Sequence, residues 1–130
     1  MLFRIGDSRQ PEFRMKQLTT APDVIARYFN FANTGQVEEA SRCFSAIAVV
    51  VDEEKTHSGI GAIRRWIGEA TGKYHPQVEM IRVEENDGTF VITGRVSGDF
   101  PGSPLDLEFR FILADDGISK LHISQPRPGL

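Results

Sequence analysis

The sequence predicts a single α+β domain in which three amphipathic helices precede a curved, mostly antiparallel sheet. Up to about residue 74 the apolar residues recur at three- and four-residue spacing, and from residue 77 onward they recur at every second residue. Each break between the later runs holds a glycine together with Asn, Asp or Pro, which is hairpin-turn chemistry. The 130 residues match one core, since a chain of this size buries roughly two-thirds of its unfolded surface. The domain is expected over residues 20–125, after an N-terminal arm (1–19) that mixes Phe, Arg, Gly and Pro without a period, and before a short Pro- and Gly-containing tail (126–130).

The first helix is expected from Thr20, with Pro22 and Asp23 in its opening turn, to about Asn33. Val24, Ile25, Tyr28, Phe29 and Ala32 form its apolar stripe, and Gly35 supplies a left-handed stop. A short second helix (37–44) places Val37, Ala40, Cys43 and Phe44 on one face. The β-branched run 46–51 reads as a strand that ends in Asp52, Glu53 and Glu54. Ser58 and Gly59 then open a third helix carrying Ile60, Ile63, Trp66, Ile67 and Ala70, which Gly72 breaks. Four strands follow at 77–85, 89–99, 105–113 and 118–124, a helix-then-meander order in which the helices segregate to one side of the sheet.

Composition excludes several function classes. The net charge is -3, with basic residues scattered among acids, so nothing tracks a phosphate backbone and no nucleic-acid partner is expected. No apolar run approaches the ~20 residues of a membrane span, and a soluble cytoplasmic protein follows by default. One cysteine and three dispersed histidines form no metal-ligand pattern, so neither metal nor cofactor is expected.

The order of elements, with Val24-Ile25-Ala26-Arg27-Tyr28, Asn33-Thr34-Gly35, Ala48-Val49-Val50-Val51-Asp52, Ser58-Gly59, Phe100-Pro101-Gly102 and Phe109-Arg110-Phe111, resembles the nuclear transport factor 2-like superfamily. The likeness is to its SnoaL-like polyketide cyclases and its ketosteroid isomerases in particular. It implies a half-open cone with an apolar interior and, in many members, a homodimer through the outer sheet face. It also implies that Tyr28 and Asp52 stand where the isomerases place a helix tyrosine and a strand-end aspartate inside the cone. In such a cavity burial raises the carboxyl's pKa and makes it a proton shuttle, while the phenol donates to a developing oxyanion. The isomerases' second, acidic oxyanion donor corresponds to Leu107 here, so steroid isomerisation itself is not expected.

His57 is placed in a loop at the mouth of the cone, within reach of Asp52 or a ligand. Strand alternation puts Val96, Gly98 and Phe100 on the inner face and Arg95 on the outer. With Trp66, Ile67, Leu107, Phe109, Leu121 and Ile123 they form the expected ligand-facing wall, and His122 alternates to the outside. Two function classes follow. One is a pocket for a small, cyclic, hydrophobic molecule, with acid/base chemistry by Asp52, Tyr28 and His57; the other is a non-catalytic dimerisation or binding module whose cone is filled by its own side chains, Trp66 and Phe100 included. An epoxide hydrolase ranks last, because Arg95 and Arg110 both alternate to the outer face.

Overall fold

The computed structural model describes residues 16–126. Most of the expected arm and residues 127–130 of the expected tail lie outside them. The elements run β1 (Lys16–Leu18), α1 (Asp23–Asn33), α2 (Val37–Ser41), β2 (Phe44–Asp52), β3 (Lys55–Ser58), α3 (Ile60–Tyr74), β4 (Gln77–Asn86), β5 (Thr89–Ser97), β6 (Leu105–Ala114) and β7 (Gly117–Ser124). Seven strands make one sheet in the order β1-β4-β5-β6-β7-β2-β3. Every neighbouring pair is antiparallel except β2 with β7. This is the predicted α+β cone, with three helices packed on the inner side of a mostly antiparallel sheet.

Helix α1 begins two residues later than its sequence signal suggests. Pro22 occupies the N-cap position without a side-chain cap bond, and its carbonyl accepts from the amides of Ile25 and Ala26. The stop is as predicted. Gly35, at φ 73°, lets its amide reach the Ala32 carbonyl while Gln36 reaches Phe31, the paired bonds that close a helix C-terminus. Helix α2 is shorter than the apolar stripe implied, ending at Ser41, because the chain at Cys43 is captured by the sheet: the Ile118 amide donates to the Cys43 carbonyl. Helix α3 carries Gly72 within it and stops only at His75, which takes the left-handed φ of 48°.

Two strands lie beyond the sequence expectation. Lys16–Leu18, inside the expected arm, pair with Glu85, Glu84 and Val83 at the edge of β4. Lys55–Ser58, expected as a loop, pair with the end of β2. Both are short edge strands with mostly exposed residues, so they lack the apolar alternation that marks a strand covered on one face.

The core sits between the helices and the inner sheet face. Ile25, Ile63, Ile92, Phe111, Ile118 and Leu121 are wholly buried there. Phe29 packs edge-on against Phe109 and Phe111 at centroid distances of 5.2 and 5.7 Å, and Tyr28 does the same against Phe44 at 5.3 Å. Truncating Phe111 to Ala would cost on the order of 3–5 kcal/mol, the usual figure for a large side chain that the surroundings cannot refill.

Candidate active site

Strand β2 buries Val50 completely and then delivers Asp52 at its last position. The chain reverses at once through Glu53 and Glu54, so that Asp52 pairs with Lys55 across a two-residue turn. Both turn residues have positive φ, 53° and 64°, the mirror-image turn whose twist suits a hairpin. Asp52 is thereby held at the end of a sheet strand rather than on a loop.

From α3, the Trp66 indole N–H donates to Asp52 Oδ2 at 3.0 Å. His57 stands opposite Val50 on β3, its ring 5.8 Å from that of Trp66 and inclined by 31° to it. Burial lifts the Asp52 carboxyl above the usual carboxylate range; the Trp66 bond opposes this, Glu53 adds to it, and His57 and the Glu53 amide oppose it. The carboxyl is thus poised between two pulls.

On α1, Tyr28 is 5% exposed. Burial, reinforced by the charges of Asp52 and Cys43, raises its phenol well above the ordinary range, which keeps it a neutral donor. No hydrogen bond satisfies its hydroxyl among the described residues. The hydroxyl is not sealed in the core, where Ser45 Oγ is the buried side-chain oxygen without a partner among the described residues; it opens onto the cavity.

These groups border a cavity of about 780 Å³. Tyr28, Asp52, Trp66, Ile67, Val96, Phe100, Leu107, Phe109 and Ile123, all expected at the site, line it together. Trp66 and Phe100 therefore border the cone's space rather than fill it. Three expected residues lie elsewhere. Leu121 is wholly buried in the core beneath, and His57 is not part of the cavity lining, packing on Trp66 and reaching Asp52 through its charge. Gly98 backs onto the α3–β4 connection: a Cβ there would stand 2.6 Å from the Tyr74 carbonyl oxygen and 3.3 Å from the Pro76 Cα. Its missing side chain thus makes room for backbone, not for a ligand.

Sequence reasoning missed Glu53, Glu54, Asn33, Thr71 and Tyr74, which also line the cavity. Asn33 has a second task, gripping both backbone groups of Val78 at 2.8 and 2.9 Å and so tying the end of α1 to β4. The Asn-Thr-Gly stop of α1 flagged its position but not that grip. His122 borders the cavity in a consecutive run with Ile123, Ser124 and Gln125. Successive strand residues point to opposite faces, so main chain forms part of this wall. Arg95 and Arg110 face outward as expected, paired with Asp106 and Glu108 at 3.0 and 2.6 Å. Among the described residues no three His, Cys, Asp or Glu side chains converge to hold a metal ion.

Three helices packed on an open, mostly antiparallel sheet define the cystatin-like α+β cone, and solved structures carry that assignment further. A protein from Sinorhizobium meliloti, for which a polyketide cyclase role has been suggested, superposes with a TM-score of 0.77 and 32% identity over 80% of this chain and 95% of that one. A ketosteroid isomerase-like protein from Catenulispora acidiphila, solved with trimethylamine, matches at 0.72 and 14% identity over 80% of this chain and 85% of that one. SalBIII, an epoxide hydrolase/cyclase-like enzyme of salinomycin pyran-ring formation, matches at 0.69 and 16% over 80% and 88% of the two chains. No protein-family profile matches the chain, and no curated protein is similar to it in sequence. On the first of these structures, the chain belongs to the SnoaL-like, polyketide cyclase-related group of the nuclear transport factor 2-like superfamily.

Proposed function

We propose that the cavity binds a small, cyclic, mostly apolar molecule and that Asp52 works within it as a general acid/base, with Tyr28 as the hydrogen-bond donor. The observation that carries this reading is the Tyr28 hydroxyl. It belongs to a 5% exposed residue, lacks a partner among the described residues, borders the cavity and feels the Asp52 charge. An oxygen on a bound molecule would satisfy it.

The chemistry that follows is enolisation. Asp52 takes a proton from carbon next to a ligand carbonyl, the C–H electron pair becomes the new C=C bond, and the carbonyl oxygen takes up the charge under the Tyr28 O–H. Where a second C=C bond of the ligand is conjugated with that enolate, return of the proton from Asp52 to the far carbon of the dienolate shifts the double bond and isomerises the ligand. Attack of the enolate carbon on a second carbonyl of the ligand closes a ring instead, with the proton returned to the new alkoxide. Neither path needs the acid that Leu107 replaces, because Tyr28 alone meets the oxyanion. The apolar wall from Trp66 to Ile123 supports a flat hydrophobic frame. Polyketide cyclisation is the role suggested for the most similar of the structures named above, which favours the ring-closing path.

The test is a panel of cyclic ketones and aromatic polyketides, screened by Trp66 fluorescence and then assayed for turnover. Asp52→Asn should lower kcat by about 10²–10⁴ with the affinity for these uncharged compounds retained, and Tyr28→Phe by about 10–10³. Full turnover by Asp52→Asn would remove Asp52 from the mechanism. We further propose that the chain is a homodimer through the outer face of β5, β6 and β7.

A further inference from the structure

The charges around the cavity are one-sided. Three carboxylates border it, Asp52, Glu53 and Glu54, whereas no Lys or Arg of the described residues does, and His122 adjoins it at a strand position that alternates to the outer face. Nearby cations are otherwise engaged or distant. Lys55 pairs in register with Asp52 yet is exposed and bonded to nothing at the site, and the His57 ring lies against Trp66. Two aromatic residues stand at the acidic end, Trp66 bonded to Asp52 and Tyr28 within reach of its charge, and Tyr74 and Phe100 line the cavity as well.

This combination selects a ligand by charge. A carboxylate or phosphate ligand would find no Lys or Arg among the described residues of the wall and would be repelled by three acids. A neutral ligand would gain only apolar contact and the Tyr28 hydrogen bond. A cationic one gains attraction from the carboxylates, strengthened where the walls exclude water, and from the negative faces of the rings. Asp52 already receives the Trp66 N–H on Oδ2, and as a carboxylate it only accepts, so whatever meets it must donate. The unpartnered Tyr28 hydroxyl, in a residue more than nine-tenths buried, shows that the same end of the cavity is built to meet a polar group.

We propose that the ligand carries a protonated amine on its apolar frame, seated at the Asp52 end with Glu53 and Glu54 at the rim. This rests on the pocket reading above and adds the charge of the molecule that fills it. The placement also gives the two rim glutamates a role: they are exposed and hold the positive-φ positions of the β2–β3 turn, where Gly or Asn would sit with less strain.

One matched series tests it: 2-naphthylmethylamine, 2-naphthylmethanol and 2-naphthoic acid, an identical frame bearing a positive, a neutral and a negative group at neutral pH. Trp66 fluorescence titration should give the amine an affinity at least about tenfold above the alcohol, with the acid weakest. The amine's advantage should shrink several-fold in Glu53→Gln/Glu54→Gln, a rim variant outside the core, and largely vanish in Asp52→Asn. High salt should weaken the amine and leave the alcohol unchanged. If alcohol and amine bind alike, or the acid binds best, the charge assignment is wrong while the pocket stands. If none of the three gives a saturable change, the pocket reading falls and takes this inference with it.

Discussion

At Asp52 burial and the indole of Trp66 act in opposite directions on one carboxyl, and each can be removed separately. Trp66→Phe keeps the ring and deletes the N–H that favours the ionised form. The carboxyl should then titrate at a higher pH than in wild type, and the acid limb of any pH–rate profile should move up with it; carboxyl-carbon NMR measures the first directly. A downward or absent displacement would mean that the 3.0 Å bond does not control the charge. The stability consequence has a definite sign. Because burial raises Asp52, the folded state keeps its proton to higher pH than the unfolded chain does. Stability from this group is therefore full below the ordinary carboxylate range, about 4, and is lost as pH rises through the raised value. Asp52→Asn removes that loss while its amide oxygen still accepts from Trp66. The variant should melt above wild type at neutral pH, with the gap closing toward pH 3, as expected where a site is kept at the expense of stability. Tyr28 and Asp52 were legible as candidates through the resemblance to the ketosteroid isomerases, whose helix tyrosine and strand-end aspartate they match. The bond joining Asp52 to Trp66 was not, since periodicity assigns an apolar face and is blind to where an indole N–H lands fourteen residues away.

Elements show the same division between local and tertiary signals. Helix stripes, the β-branched run of β2 and the Asn-Asp-Gly turn between β4 and β5 were readable because each is fixed by its own residues; Asp87 and Gly88 both take the expected positive φ. The β2–β3 hairpin was hidden because its turn is Glu-Glu, two residues with no preference for the left-handed region, and because its second strand is polar. A non-glycine residue in that region costs roughly 1–2 kcal/mol, offset in part by the extra unfolded-state entropy of a glycine replacement. Glu54→Gly should therefore stabilise the protein by about 0.5–1 kcal/mol, or a few degrees in Tm by thermal denaturation. An unchanged or lower Tm would show that the turn is not strained. Gly98 is the reverse case. Gly98→Ala would drive a Cβ into the Tyr74 carbonyl, which already accepts the Asp99 amide at 2.7 Å, so it should cost about 2–3 kcal/mol and displace the Tyr74 side of the cavity. Alternation pointed Gly98 at the cavity, but only packing reveals that backbone, not ligand, fills the space beside it.

For the whole molecule, the sheet's two faces carry different chemistry. The inner face supplies the core and the cavity wall. On the outer face charges are matched within the sheet, the exposed Arg95 with Asp106 and Arg110 with the buried Glu108, and Ile112 is 42% exposed. Charges already paired within one chain can be covered by a second copy without leaving a buried ion uncompensated, whereas an unpaired charge at that place would forbid it. A two-fold contact brings each patch against its own image, so one substitution acts twice. Light scattering at micromolar concentration should give twice the 14.5 kDa chain mass. Ile112→Asp, which sets like charges against each other across the two-fold, should reduce this to the single-chain value with the circular-dichroism spectrum and the naphthyl ligand series unaltered, because residue 112 lies on the face opposite the cavity. A wild-type chain that stays monomeric at those concentrations would remove the dimer and leave the pocket chemistry standing, since every residue proposed to meet the ligand comes from one copy.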